Sequence, residues 1–314
     1  MNVTDRTKQL TGGEKENGST DFLQKTWVVC ALALVCTFLW GSASPCIKLG
    51  YALFQIPSSE TWTQVLFAGT RFVLAGVLTI LIGSVLNRKM LVPTKSSIPS
   101  IAKLGLFQTI LQYIFFYIGL AHNSGVKASI INGSNTFFVI LLAGLVFHQE
   151  KLTGPKILGC IIGFAGVVLV NLGGAGLDMS FHWNGEFFIL ISTVSAACSS
   201  AFIKKFSTKA NPVLLSGWQF MMGGTVLIIM GKLMGGKLQF EGIAPMFLLL
   251  YMACISAVAY TLWSLLLKYN PPSRIAVFGF MNPVFGVMLS ALLLKEKGQA
   301  FSLAGLTSLV LVCI

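Results

Sequence analysis

The side chains in this sequence that could act on a solute are few, and they sit inside apolar runs. Trp40, Ser44 and Lys48 fall at i, i+4 and i+8, one face of a helix, and Pro45 beside them removes a backbone donor and frees a carbonyl. Ser192, Ser195 and Ser199 share a face by the same logic, as do Ser256, Tyr260 and Trp263. Gln108, Gln112 and Tyr113 form a third group, Asn132 and Asn135 a fourth, and Asn282 precedes Pro283. Such groups hydrogen-bond and stack; they do not by themselves activate water or a nucleophile.

Bond-breaking chemistry finds no constellation. His122, His148 and His182 fall in loops or at helix ends, and neither HExxH nor a Walker A pattern is present, so a metalloenzyme and an ATP-driven machine are excluded and no cofactor is expected. The seven cysteines include no CxxC pair and read as small buried residues, not as a disulfide framework or a metal site. All ten acidic residues lie in the N-terminal tail, in loops or within a turn of a helix end.

Membrane helices must position the polar faces. Apolar residues make up 55% of the chain and charged residues only 10%, with a mean hydropathy of +0.80, which no soluble domain carries. The net charge of +12 is dispersed between apolar runs, so nucleic acid is excluded as a partner. Residues 1–26 are polar and predict a disordered tail. Ten apolar stretches follow, at 27–47, 64–86, 101–120, 126–147, 155–172, 183–203, 212–231, 245–267, 275–294 and 302–314, all near the length of a spanning helix except the last. That last stretch of 13 residues is too short to cross, so a truncated tenth helix is expected. The fold class is therefore all-α integral membrane with ten transmembrane helices. Fifteen lysines and arginines on the N-terminal side of the bilayer against six on the other predict both termini in the cytoplasm and residence in the plasma membrane.

The chain also repeats itself. A shift of 147 superposes Tyr113 on Tyr260, Asn123 on Asn270, Asn135 on Asn282 and Phe138 on Phe285; after a one-residue gap, Glu150-Lys151 pairs with Glu296-Lys297. A shift of 148 matches residues 67–76 of helix 2 with 215–224 of helix 7, so that Arg71 pairs with Gln219. Five helices per half is an odd number, so the second half enters from the opposite side. Such inverted repeats are a device of secondary transporters, with the solute near the midplane between halves.

Trp40-Gly41-Ser42, Arg71-Phe72 with Ala75, and the two Glu-Lys echoes ahead of glycine-rich helices resemble the EamA branch of the drug/metabolite transporter superfamily. The resemblance covers everything after residue 26, with repeats at 27–172 and 183–314. It implies alternating access, outward movement of amino acids or related metabolites, and a cavity lined by helices 1, 3, 4, 6, 8 and 9. A nucleotide-sugar or nucleoside carrier of the same superfamily is the alternative, and a non-transporting membrane scaffold is the rival from another class. Helix 4 has Asn135-Thr136 where the family usually carries proline, so a proline kink is expected in helix 9 alone.

The expected substrate-binding residues are Trp40, Ser44, Gln112, Tyr113, Asn132, Asn135, Ser195, Ser199, Tyr260, Trp263 and Asn282. Any single serine has helix packing as its plainer reading. Arg71 is expected to anchor helix 2 by snorkelling to the outer interface, with direct contact to an anionic substrate as the alternative. Glu150 and Glu296 read as caps of connecting turns, Gly159, Gly163 and Gly166 as a packing stripe, and Leu227 as lipid-facing. A lipid bilayer, a small-molecule substrate and a homodimer through helices 5 and 10 complete the expected partners. With no carboxylate at midplane depth, transport without proton coupling is expected.

Overall fold

The computed structural model describes residues 21–57, 59–121, 131–172 and 183–293, with the backbone alone at some helical positions such as Ser44. Among these residues every regular element is helical. α1 is Thr26–Leu53 and α2 is Thr61–Leu86. α3 runs as Ile98–Leu104, a π-helical stretch Gly105–Leu111 and Gln112–Ala121. α4 comprises Asn135–Leu141 and a π-helical end Leu142–Val146, and α5 is Gly154–Leu172. α6 opens as a π-turn, Trp183–Phe187, and continues as Phe188–Phe206. α7 is Pro212–Leu233 and α8 Ala244–Tyr269; α9 is Pro272–Ala276, a 3-10 turn Val277–Phe280 and Met281–Leu293. The tenth expected helix lies outside the described residues, as do Glu296, Asn123 and the 1–20 tail.

Six of the helices are long and apolar enough to cross a bilayer, which makes the chain a multi-pass membrane protein. Their boundaries follow local chemistry. Asn211 caps α7 by accepting from the Val213 N–H at 2.8 Å, with Pro212 at the first helical position. In α9 the Pro283 ring removes the N–H that would bind Gly279, and the turn just before it tightens to 3-10 form. Pro45 sits within a continuous α1. There Gly41 packs so tightly on α9 that a Cβ would lie 2.6 Å from the Phe285 Cβ.

α2 and α7 cross antiparallel at the centre of the bundle, backbone on backbone. A Cβ on Gly69 would meet the Gly224 carbonyl at 2.8 Å, and one on Gly76 would meet the Gly217 carbonyl at 2.7 Å. The 148-residue shift pairs Gly69 with Gly217 and Gly76 with Gly224. Each helix therefore meets in its partner the counterpart of its own other glycine. Leu227, on the same face of α7, is wholly buried, which corrects its lipid-facing reading. Gly159 of α5 differs from its expected packing role: a Cβ there would meet nothing within 4 Å, and its neighbours Leu158 and Ile161 are exposed.

Candidate functional site

The apolar helices bring aromatic rings together at mid-bundle. The Trp40 ring of α1 lies edge-on to Tyr260 and Trp263 of α8, with centroids 5.1 Å and 4.9 Å away. Tyr113 of α3 and Tyr260 share a hydroxyl–hydroxyl bond of 2.9 Å, and the Gln112 side chain lies beside Tyr260. Phe72 of α2 stacks on Phe220 of α7 at 5.2 Å and 20°, while touching Tyr113 at 4.4 Å. Two of these contacts join residues that the repeat equates, Tyr113 with Tyr260 and Phe72 with Phe220. The Trp40 indole N–H is buried without a hydrogen-bond acceptor.

Five of the eleven expected binding residues, Trp40, Gln112, Tyr113, Tyr260 and Trp263, thus share one cluster. Others join helices. Ser195 donates to the Phe107 carbonyl at 2.7 Å, and Ser192 to the Gln112 carbonyl at 2.7 Å. The Phe107 carbonyl lies in the π-helical stretch of α3 and the Gln112 carbonyl just after it, so both serines tie α6 to α3 at that irregularity. Ser199 bonds back to Ala196 in its own helix, and Asn135 donates to Thr193 of α6 at 3.0 Å. Asn132 and Asn282 are half-buried; the Ser44 side chain lies outside the described residues.

Arg71 overturns its expected role. It is only 2% exposed and sits ten residues into α2, about 15 Å along the axis, so it does not reach the interface. Its Nε and Nη2 both donate to the Ser256 hydroxyl of α8, at 3.0 and 2.8 Å, and its guanidinium lies 5.0 Å from the Phe72 ring. The repeat carries the same bond in the other half. Gln219 corresponds to Arg71 and Thr109 to Ser256, and the Thr109 hydroxyl donates to the Gln219 carbonyl oxygen at 2.7 Å.

A second polar feature closes one end of the bundle. Glu150, at the α4–α5 turn, accepts from the Ser273 N–H at 2.9 Å, from the Ser273 hydroxyl, and from Lys156 at 2.7 Å. Glu150 therefore caps α9 across the two halves of the chain, where the sequence reading had it capping its own turn. Lys204 reaches the Lys268 and Asn270 carbonyls, and Arg274 bonds Gln24 and Thr26. A cleft of about 410 Å³ opens between Gln149, Glu150, Lys204, Asn270 and Arg274. At the opposite end Gln55 of the first half bonds Glu241 of the second at 2.9 Å.

The model of the EamA-like transporter family matches this chain twice, over residues 27–172 and 183–314. The chain belongs to the EamA-like transporter family. An uncharacterized transporter of Archaeoglobus fulgidus is 28% identical over 298 residues, covering 92% of this chain and 97% of its own. The uncharacterized inner membrane transporter YedA of Escherichia coli is 25% identical, covering 80% of this chain and 78% of its own. A chloroplastic WAT1-related protein of Arabidopsis thaliana is 24% identical over 61% of this chain and 48% of its own. A crystallised protein of 14% identity shares the fold over 92% of this chain and 95% of its own, with a TM-score of 0.72. This EamA-like chain joins a family of transporters.

Sequence reasoning passed over Tyr51, which is half-buried, and Tyr117, which is buried; both lie within electrostatic reach of Arg71. The signal available was spacing. Tyr117 is one helical turn beyond Tyr113, on the same face of α3.

Proposed function

We propose that this EamA-like protein is a secondary transporter built from two inverted five-helix halves, which moves small metabolites such as amino acids by alternating access. The observation carrying this reading is the meeting of repeat-related residues at the centre: Tyr113 on Tyr260, Phe72 on Phe220, and the crossed glycines of α2 and α7. Contacts between equivalent residues are what a two-fold relation between halves generates, since each half offers the other the same surface. Halves related in this way can rock about their shared axis and expose one central site to either side in turn.

The aromatic cluster of Trp40, Tyr113, Tyr260 and Trp263 is the site in this reading. Its rings offer stacking area, and its hydroxyl pair and indole N–H offer bonds that a bound solute can take over. Both termini are placed on the cytoplasmic face of the plasma membrane, so the end closed by Glu150 and Ser273 is the inner end. Transport proceeds down the solute's own gradient. The test is counterflow in proteoliposomes with pH gradient and membrane potential clamped at zero, over a broad metabolite panel. Accumulation of labelled solute is expected, with Trp40→Ala, Tyr113→Ala and Tyr260→Ala impaired at normal abundance. Flux of no solute overturns transport. Uptake requiring an imposed pH gradient overturns the uncoupled mechanism.

A further inference from the structure

An arginine carries five N–H donors and no acceptor, and a buried one needs each donor met and its charge balanced. At Arg71 two donors are met, both by Ser256, whose own proton goes to the Met252 carbonyl at 3.2 Å. The Nε–Nη2 edge is thereby filled. Nη1 is buried and has no hydrogen-bond partner, so the Nη1–Nη2 edge, the fork that receives a carboxylate in bidentate fashion, is left unpaired at Nη1. No carboxylate lies within ion-pair distance of it among the described residues. Arg71 is also the largest of the fully buried side chains.

Two further groups around it share the same deficit. The hydroxyls of Tyr51 and Tyr117 are buried without a hydrogen-bond partner. They neighbour each other and lie within electrostatic reach of the guanidinium, yet neither closes a bond at proper geometry. Three side chains from α1, α2 and α3 thus hold unmet donors in one apolar region. The region adjoins the aromatic cluster, because Phe72 touches both the guanidinium and the Tyr113 ring. Gln219, in the matching place of the other half, is neutral, so the fold does not require the charge.

We infer that Arg71, Tyr51 and Tyr117 form a binding site for the carboxylate of the transported solute, with the guanidinium fork as its anchor and the two hydroxyls donating to the same anion. The assignment rests on the transport reading above and narrows it to solutes bearing a carboxylate. The body of the solute then lies along Phe72 and Tyr113 toward Trp40.

The test uses the full chain in lipid nanodiscs. Thermal unfolding midpoints are read against the common amino acids and simple monocarboxylates from acetate to phenylacetate, each beside its primary amide. At least one acid is expected to raise the midpoint while its amide does not. Arg71→Gln, which copies the Gln219 half, is expected to weaken that acid about tenfold to a hundredfold, the worth of a charge-assisted bond pair. The Tyr51→Phe, Tyr117→Phe double variant weakens it less and keeps the preference for acid over amide. If Arg71→Gln does not fold, Arg71→Lys keeps the charge without the fork and is expected to show a weakened acid response. Stabilisation by no acid, equal stabilisation by acid and amide, or an unchanged response in either Arg71 variant overturns the site. Counterflow separates the two readings. Exchange of neutral solutes but of no acid leaves transport standing and removes the carboxylate site, whereas acid-specific stabilisation without flux of any solute does the reverse.

Discussion

Two interhelical bonds occupy matching places in the two halves and differ in one respect. Arg71 to Ser256 joins α2 to α8, and Thr109 to Gln219 joins α3 to α7. Both are deeply buried, both tie a helix of one half to a helix of the other, and the repeat interchanges them. Only the first carries a charge. A polar bond at this depth is therefore a property of the scaffold, since water is absent and each group must find a protein partner. Each joint also leaves a buried donor unmet, Nη1 of Arg71 and Nε2 of Gln219, so what sets the guanidinium apart is a charge that calls for an anion.

The sharpest way to break this comparison is to put a cation in both halves. Gln219→Arg should cost about 3 kcal/mol or more, because a second buried charge arrives with no counter-ion. Unfolding in detergent or the folded fraction in membranes reads the loss. Adding Arg71→Gln to it restores a single cation and should recover much of the stability; failure to recover would mean that the two places are not equivalent. Smaller effects come from removing the hydroxyl partners. Ser256→Ala should destabilise by about 1.5–3 kcal/mol and Thr109→Val by about 1 kcal/mol, the difference between a charge-assisted and a neutral bond. Equal losses would show that the charge at Arg71 is met elsewhere.

Smaller still is the effect of the Tyr113–Tyr260 bond. Tyr113→Phe and Tyr260→Phe each remove the same hydroxyl pair, and each should reduce transport only severalfold, about 1 kcal/mol. The double variant should be little worse than either single, and additive losses in that cycle would place the hydroxyls in separate roles. Ile229→Ala, on an exposed face of α7, is expected to be silent in both unfolding and flux assays.

Helix positions were legible because spanning segments announce themselves by length and apolarity, and nine of the ten expected stretches coincide with α1–α9 within a few residues at most ends. The pairing of Tyr113 with Tyr260 was legible through the repeat. Which face of a helix points inward was much less so, because a nearly uniform apolar helix has no polar stripe to mark its outside. Leu227 was misplaced for that reason, since lipid and bundle interior are equally apolar to a leucine, whereas Arg71 was misplaced in depth because α2 begins at Thr61 and not at the expected 64. Ser192 and Ser195 of α6 could not be assigned because their acceptors are backbone carbonyls of α3, within or beside a π-helical stretch that apolar composition does not disclose. Glu150 was read locally because its partner Ser273 lies 123 residues away.

The glycine crossing of α2 and α7 bears on how such a bundle moves. Where side chains interlock, two helices behave like meshed gears, and any change of angle must lift teeth out of their slots. At Gly69 and Gly224 the nearest contacts are backbone on backbone, whereas at Gly76 and Gly217 the Met221 and Ile80 side chains fill the slots. Contact of bare backbones fixes the separation of the axes tightly while leaving their inclination weakly determined, which is how a bearing differs from a clamp. A methyl group added at Gly69 or Gly224 would abut backbone atoms at 2.8–2.9 Å and turn that bearing into a wedge.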